Sequence, residues 1–391
     1  MTNIYNNVSF ALHLHTEALT RLQEQASTGS RINRPSDSPS EAYSILSLNS
    51  QERSLQNYID NLSDVTDTLE FSSTIIGDIT SYISDAKLRI GQVTSGTYDE
   101  QARERAAEAI NDILEQVVLL ANTKRMNQYI FGGADTTSAP YIVQHTNGEI
   151  TNVTYRGSSE TSDIEVAPGL KSSPFYVGDN IFRSNERTDP IFTGLTGAAA
   201  GTGTSSVCGD VWLTVIHDGT NYKLSIDDGA SYVTVLAGGD PNQAVTDSRT
   251  GQVLYVDTTG LNNTGVELVR IPGTYDIFNT LITTRDVLRN QRDFSEAQLQ
   301  QLRDSCLTSL EEVRNLLVQD SVSIGSKIGF LDDLKDSLKN VKYNTEDEVA
   351  RIEEADIAQI AIDIARRQAL YQASLSIAAR MMSLSLLDYL K

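Results

Sequence analysis

The chain has 391 residues, 39% of them hydrophobic and 21% charged, with 31 Lys+Arg against 52 Asp+Glu and a formal net charge of −21. That length accommodates two or three domains with at least one packed core. The acidic balance disfavours nucleic acid and anionic lipid as partners, since both bind basic patches. Cys208 and Cys306 are the only cysteines and have neither zinc nor disulfide-framework spacing.

The first 20 residues contain no Lys or Arg, and the apolar run Val8–Leu14 is interrupted by Ser9 and His13. No small-residue cleavage pattern comes after it, so a cleaved secretory signal is not expected. No apolar run approaches the roughly 20 residues that a membrane span needs. Tyr5, Val8, Leu12, His15, Leu19, Leu22 and Ala26 instead recur at spacings of three and four, which predicts one helical seam over the first 26 residues.

Ser38-Pro39-Ser40-Glu41 reads as a helix start, with Ser38 as N-cap, Pro39 at N1 and Glu41 completing a capping box. Leu48, Leu55, Leu62, Leu69, Ile76, Ile83 and Ile90 then recur every seven residues. Tyr58, Val65, Ser72, Ile79, Ala86 and Val93 fill the second seam position. This is a coiled-coil-like surface carried past the length of an ordinary amphipathic helix. From Pro39 to Ser95 such a helix measures roughly 85 Å, with Gly77 the expected bend.

A second helix is predicted from the capping box Thr97-Tyr98-Asp99-Glu100 to about Asn127, antiparallel to the first. Its apolar stripe is Ala109, Ile113, Val117 and Leu120. Between about 140 and 272 the pattern changes to strands and turns. Tyr222, Leu224 and Ile226 alternate with Lys223, Ser225 and Asp227 as in a half-buried strand. Asp218-Gly219 and Asp228-Gly229 supply hairpin turn chemistry. Gly194–Gly209, rich in Gly, Ala, Thr and Ser, reads as a surface loop or joint.

Helical pattern returns over about 276–290. A further long helix is predicted from Ser295-Glu296-Ala297-Gln298, carrying Leu310, Leu317, Ile324, Leu331 and Leu338 seven apart with Val313, Leu334 and Val341 beside them. At the C-terminus Ile357, Ala361, Ile364, Gln368, Tyr371, Leu375, Ala378 and Met382 form another seam, while Ile360, Leu370, Ile377, Met381, Leu384 and Leu387 occupy neighbouring faces. One partner helix cannot cover so wide an apolar surface. Terminal helices of this kind are marginal alone in water and call for further copies of the chain, or a chaperone, as cover. The expected self-assembly residues are Val8, Leu12, Leu19, Leu22, Ile357, Ile364, Tyr371, Leu375, Ala378 and Met382.

The expected fold is mostly α with an inserted β-rich region: an elongated bundle of long coiled-coil-like helices formed by both chain ends, with antiparallel β domains projecting from the middle. Residues 1–38 and 353–391 make a terminal coiled-coil assembly domain, and 39–139 with 273–352 a long-helix rod. Residues 140–190 make a first β domain and 191–272 an additional inserted β subdomain.

Catalytic patterns are absent from the sequence: it contains no H-E-x-x-H, G-x-S-x-G or Walker A run. His13 and His15, two apart, face different sides of a helix, a poor metal pair. Asp227-Asp228-Gly229 is read as a turn before a calcium ligand set. No enzyme activity, cofactor or metal is expected.

Residues 28–42, Thr-Gly-Ser-Arg-Ile-Asn-Arg-Pro-Ser-Asp-Ser-Pro-Ser-Glu-Ala, resemble the hallmark stretch of flagellin-like axial proteins through Arg31, Ile32, Asn33, Pro35, Ser36, Asp37 and Pro39. The prolines at 35 and 39 look more like the hook-associated protein 3 family than flagellin; Ser38 stands where an Asp is usual and serves equally as a cap. Tyr129-Ile130-Phe131-Gly132-Gly133 is similar to that family's segment closing the first helical pair, and Val177–Phe182 to its exit from the β domain. Arg351-Ile352-Glu353-Glu354-Ala355-Asp356 resembles a stretch shared with flagellin, and Ser385–Leu390, with Leu387 and Leu390, the junction family's terminus. The stretch from about Pro190 to Pro272 matches no part of that pattern.

The resemblance implies terminal helices in an inner tube, long helices around it and β domains outermost. It implies a structural subunit of the bacterial flagellum that joins the hook-associated ring to the flagellin filament. Its partners would be its own copies in a ring, the neighbouring hook-associated protein, flagellin and an export chaperone. It would be extracellular, exported by the flagellar type III route without a cleaved signal peptide. A flagellin-like filament subunit is the alternative, and an adhesin acting through the outer β region a third reading.

Overall fold

The structure is a computed structural model that describes residues 2–94, 100–146 and 148–389. Its contacts divide the chain into two units, one formed by 1–60 with 333–391 and the other by 61–332. Helices α1 (Thr2–Thr28), α2 (Pro39–Thr94) and α3 (Glu100–Ala121) come first. Helix α2 starts where Ser38 and Pro39 predict, with the Ser38 carbonyl accepting the Ala42 N–H at 2.9 Å. Its heptad positions Leu62, Val65, Leu69, Ser72, Ile76, Ile79, Ile83 and Ala86 are completely buried. Ser72 is tolerated there because its hydroxyl donates back to the Thr68 carbonyl at 2.8 Å.

Helix α3 ends six residues before the predicted Asn127. Its buried stripe runs through Ala107, Ile110, Leu114, Val117 and Ala121, so Ala109 and Leu120 stand at its margin. Beyond it the chain folds into a tight hairpin of β1 (Lys124–Arg125) and β2 (Gln128–Tyr129). Met126 and Asn127 turn it with left-handed φ values of 48° and 67°. Two successive residues at positive φ are what a two-residue hairpin requires, and Asn tolerates that conformation well. Arg125 fastens the hairpin to α2 through the Thr68 hydroxyl at 2.6 Å. The predicted Gly96 connection and Thr97 cap lie outside the described residues.

The β-rich middle opens with the hairpins β3 (Tyr141–Thr146)–β4 (Glu149–Tyr155) and β5 (Ile164–Ala167)–β6 (Leu170–Ser172), then the short helix α4 (Gly178–Phe182). Strand β7 (Arg183–Asn185) leads onward to β8 (Ile191–Thr193), β9 (Ala199–Ala200), β10 (Gly209–His217), β11 (Tyr222–Ser225), β12 (Val233–Thr234), β13 (Gln243–Thr246), β14 (Val253–Asp257) and β15 (Gly265–Ile271). They form a five-stranded sheet, β12-β11-β10-β15-β8, and a three-stranded sheet, β13-β14-β9. Leu213, Val215, Leu224 and Val269 of the first sheet share one core with Val245, Leu254 and Val256 of the second, which makes a β sandwich. Strand β16 (Thr274–Asp276) returns antiparallel to β7.

Gly194–Gly209 is not a free loop. Ala199 and Ala200 pair with β14, Val207 enters the core, and the hydroxyls of Ser205 and Ser206 accept the Tyr255 and Val253 N–H groups at 3.0 and 2.7 Å. Arg187 donates to the carbonyls of Ser205 and Val207 at 2.5 and 3.0 Å. Small residues are needed because Gly201 and Gly203 lie against Tyr255, where a Cβ would meet its atoms at 2.9 and 2.4 Å.

Helix α5 (Ile277–Arg289) is capped by Asp276, which accepts the Phe278 and Asn279 N–H groups, and stops at Asn290 in the left-handed conformation. It packs on α3. Helix α6 (Glu296–Glu353) starts at the predicted Ser295–Gln298 box, where Gln298 Oε1 accepts the Ser295 N–H at 3.1 Å. Leu310, Val313, Leu317, Ile324 and Leu331 are buried, Leu334 and Leu338 half-buried, and Val341 exposed. Helix α7 (Ile357–Tyr389) closes the chain.

Candidate assembly site

In the unit made of the two chain ends, the hallmark stretches from opposite ends of the sequence lie together. Gly29 ends α1 with a φ of +72° and donates to the Gln25 carbonyl at 2.9 Å, a left-handed C-cap. The chain then runs beside the end of α6. Gly29 accepts the Ala355 N–H at 3.0 Å, Ser30 bridges Glu354, and the Arg31 N–H donates to the Glu353 carbonyl at 2.7 Å. The Arg31 guanidinium reaches the Ile352 carbonyl at 3.0 Å and the Glu41 carboxylate at 2.7 Å. One side chain thereby ties together the loop, the start of α2 and the end of α6.

The hydrogen bond from Arg31, assisted by Ser38, holds Glu41 below the usual carboxylate range. Both charges face water, so the pair's contribution is to geometry more than to stability. Asp37 accepts the N–H groups of Asn33 and Arg34 at 3.3 and 3.0 Å and returns its own N–H to the Arg34 carbonyl at 2.9 Å. That closes the Arg34-Pro35-Ser36-Asp37 turn with proline at its second position, where its fixed φ fits. Asn33 donates to the Ser30 carbonyl, and Ser30 to that of Ile32. Pro39 begins α2, Arg351 sits in the last turn of α6, and Asp356 accepts the Gln359 N–H at 3.0 Å to cap α7.

Helices α1 and α7 pack against each other. Val8, Leu12, Leu19 and Leu22 on α1 and Ile364, Tyr371 and Ala378 on α7 are half-buried, and Ile360 is buried. The predicted α7 seam departs from this at four positions: Ala361 and Gln368 are exposed, and Ile357 and Leu375 are 50% and 43% exposed. Phe10, Leu14, Ile362, Leu370 and Ile377 also stand open, Phe10 at 67%. A hairpin of two helices covers one stripe of each and leaves the others to water. Met382 and Leu387 lie outside the residues whose side chains are described, as does Leu390.

In the other unit two further stretches singled out in the sequence meet. The Tyr176 and Gly178 N–H groups donate to the Ile130 and Phe131 carbonyls at 3.1 and 3.0 Å, and Gly132 bridges Val177. Phe131 and Phe182 pack edge to face at 4.9 Å, beside Tyr141 and Phe278. Gly132 has no room for a side chain, since a Cβ would lie 2.1 Å from the Asp135 carbonyl. Sequence reading missed Arg183, whose Nε donates to Asp276 at 2.6 Å and Nη1 to Asp179 at 2.9 Å, joining α4 to the cap of α5. Asp179 is a local partner four residues earlier, but Asp276 stands 93 residues away, beyond the reach of any spacing rule.

The Asp227 turn is a hydrogen-bond knot. Its carboxylate accepts the hydroxyls of Ser225, Ser231 and Ser248 at 2.7, 2.6 and 2.6 Å, tying the turn after β11 to the loop between β13 and β14. Those hydroxyls hold the carboxyl far below its ordinary range against the opposing effect of burial. Oxygens already occupied by donors do not offer a cation site. Among the described residues no group of three His, Cys, Asp or Glu side chains is placed to hold a metal ion, and no helix is long and apolar enough to cross a membrane.

Residues 2–136 match the profile of the bacterial flagellin N-terminal helical region. Flagellar hook-associated protein 3 of Escherichia coli (strain K12) is 28% identical over 162 residues, 41% of this chain and 49% of that protein. Its Salmonella typhimurium counterpart is 28% identical over 165 residues, 42% and 50% of the two chains. The chain thus spans about half the length of the curated relatives it matches. Among solved structures, FlgL of Xanthomonas campestris has a TM-score of 0.51 at 18% identity, covering 76% of this chain and 98% of that one. Hook-associated protein-3 of Legionella pneumophila has a TM-score of 0.53 at 16% identity, covering 79% and 99%. Residues 2–136 thus resemble the flagellin N-terminal helical region, about two fifths of the chain is similar in sequence to flagellar hook-associated protein 3, and about three quarters of it shares the fold of the solved FlgL and hook-associated protein-3 structures.

Proposed function

We propose that this chain is a structural subunit of the bacterial flagellum, seated between the hook-associated ring and the flagellin filament and assembling through its terminal helices. The observation that carries this reading is the apolar surface left open on the α1–α7 pair, from Phe10 and Leu14 to Ile362, Leu370, Leu375 and Ile377. At about 25 cal/mol per Å² of apolar area removed from water, several such side chains make association with sister copies favourable. Residues Val8, Leu12, Leu19, Leu22, Ile357, Ile364, Tyr371, Leu375, Ala378 and Met382 supply the assembling faces. Its partners are its own copies in a ring, the neighbouring hook-associated protein and flagellin. Before assembly an export chaperone covers the C-terminal helix, and the chain leaves the cell by the flagellar route. Residues 1–38 with 353–391 form the assembling domain, and 191–272 an added outer β subdomain.

Deleting the gene tests the reading. Intact hooks with flagellin released into the medium are expected in electron micrographs and culture supernatants; normal filaments would reject it. The flagellin-like N-terminal match favours one competitor, a filament subunit. Purified protein added to filament fragments would then elongate them without limit, whereas a junction subunit adds a layer of fixed height.

A further inference from the structure

The β sandwich rests on α5 and α6 through a buried polar cluster centred on Asp210 of β10. Its backbone is fixed by Asn279, whose Nδ2 donates to the Asp210 carbonyl at 2.7 Å, and by the neighbouring Gly209 N–H on Thr274 Oγ1 at 2.8 Å. The Asp210 side chain, by contrast, is poorly served. Ser309 Oγ on α6 stands 3.4 Å from its carboxylate, the one hydrogen bond to it among the described residues. Arg270, its register partner on β15, turns its guanidinium to Glu312 and to the Ser305 carbonyl instead. Two carboxylates from opposite sides of the joint therefore face one guanidinium, and Glu312 holds it.

The remaining titratable groups around the cluster do not balance Asp210. On α6, burial pushes the Cys306 thiol up to about 12. On β16, burial also raises the Tyr275 hydroxyl, with Glu312 adding to the effect. Asp276 is engaged by Arg183 and the start of α5, and Asp286 on α5 by Arg285.

We propose that the seat of the β sandwich on α5 and α6 is a proton-sensitive joint, tightest when Asp210 carries a proton and looser once it ionises. A buried carboxylate with one weak donor is costly, whereas the neutral acid can exchange a hydrogen bond with Ser309 in either direction. Burial pushes Asp210 up to about 6, Arg270 and Ser309 opposing the rise and Glu312 adding to it. A carboxyl raised in the folded state contributes stability that is fully present below its ordinary value of 3.8 and lost as the pH rises through about 6. The outer sandwich is thus held more firmly in mildly acid surroundings than in neutral ones.

Hydrogen exchange of the β10 and β15 amides in the full chain, at pH 5 and pH 7.5, reads this joint. Comparison with Asp210→Asn cancels the intrinsic exchange rate and the effect of overall charge. The opening constant of the unsubstituted chain, relative to that of Asp210→Asn, is expected to rise about tenfold between the two pH values. A flat ratio, or poorer protection of Asp210→Asn at both values, overturns the proposal. Glu312→Gln gives a second test, since it releases Arg270 toward Asp210. The pH dependence should then move to lower pH, and an unmoved profile would count against the joint.

Discussion

Leu375→Asp separates folding from assembly. Fully burying a leucine contributes about 1.5–3 kcal/mol, and with 43% of this side chain still exposed about 1 kcal/mol remains to be gained by association. Aspartate forfeits that gain and places an unpaired carboxylate in the covered face, bringing the loss to about 3 kcal/mol or more. The concentration needed for self-association should rise roughly a hundredfold. Because more than half of the side chain is already covered in the single chain, its melting should fall by only about 1 kcal/mol, less than the loss in association. Sedimentation velocity over a concentration series, with circular dichroism melts alongside, measures both quantities. Leu12→Asp is the contrasting case: Leu12 is half-buried in the α1–α7 unit, so its substitution should lower the melt as well. Association of Leu375→Asp at the unsubstituted chain's concentration would refute this account of the open face.

Gly29→Ala keeps open space around its Cβ but forces alanine to a φ of +72°, so it should cost about 1 kcal/mol in thermal melts, and Gly29→Asn less. Gly132→Ala should be far more damaging, by more than about 3 kcal/mol, because its Cβ collides with the Asp135 carbonyl. Gly77→Ala, with nothing within 4 Å on an exposed face of α2, should instead stabilise by up to about 1 kcal/mol. Asp227→Asn swaps one acceptor oxygen for an N–H₂ group facing serine hydroxyls and should lower the sandwich's melting temperature at pH 7. Because its carboxyl is depressed, Asp227 contributes stability that is present above the ordinary value of 3.8 and lost as the pH falls below it. The two melts should therefore converge in strong acid.

The long helices were legible because period and capping act locally. Leu62 to Ile90 repeats without a break, and Ser38-Pro39 and Ser295–Gln298 mark the starts that α2 and α6 take. The hairpin after α3 was not legible from apolar pattern, since Met126 and Asn127 turn it by backbone conformation alone. Asn127 was the available clue. Gly194–Gly209 misleads for a related reason: its small residues permit close approach to Tyr255, which composition cannot distinguish from looseness. The α7 seam fails at Ile357, Ala361, Gln368 and Leu375 because a helix apolar on several sides does not specify which stripe meets its neighbour. The contact between Arg31 and Ile352 spans 321 residues, so no spacing rule reaches it. The resemblance of residues 28–42 and 351–356 to one family named both ends of that contact without indicating that they touch.

The ribbon of β7 and β16 sets Asn185 opposite Thr274. A polypeptide that leaves and rejoins its scaffold at facing positions can lengthen, shorten or exchange what lies between while the two anchoring strands stay in place. The sandwich has its own apolar interior, so such a change would reach the helical base mainly through the few side chains on which it sits. A chain built on this framework is therefore free to change its sandwich while the register of the helices that carry it stays the same.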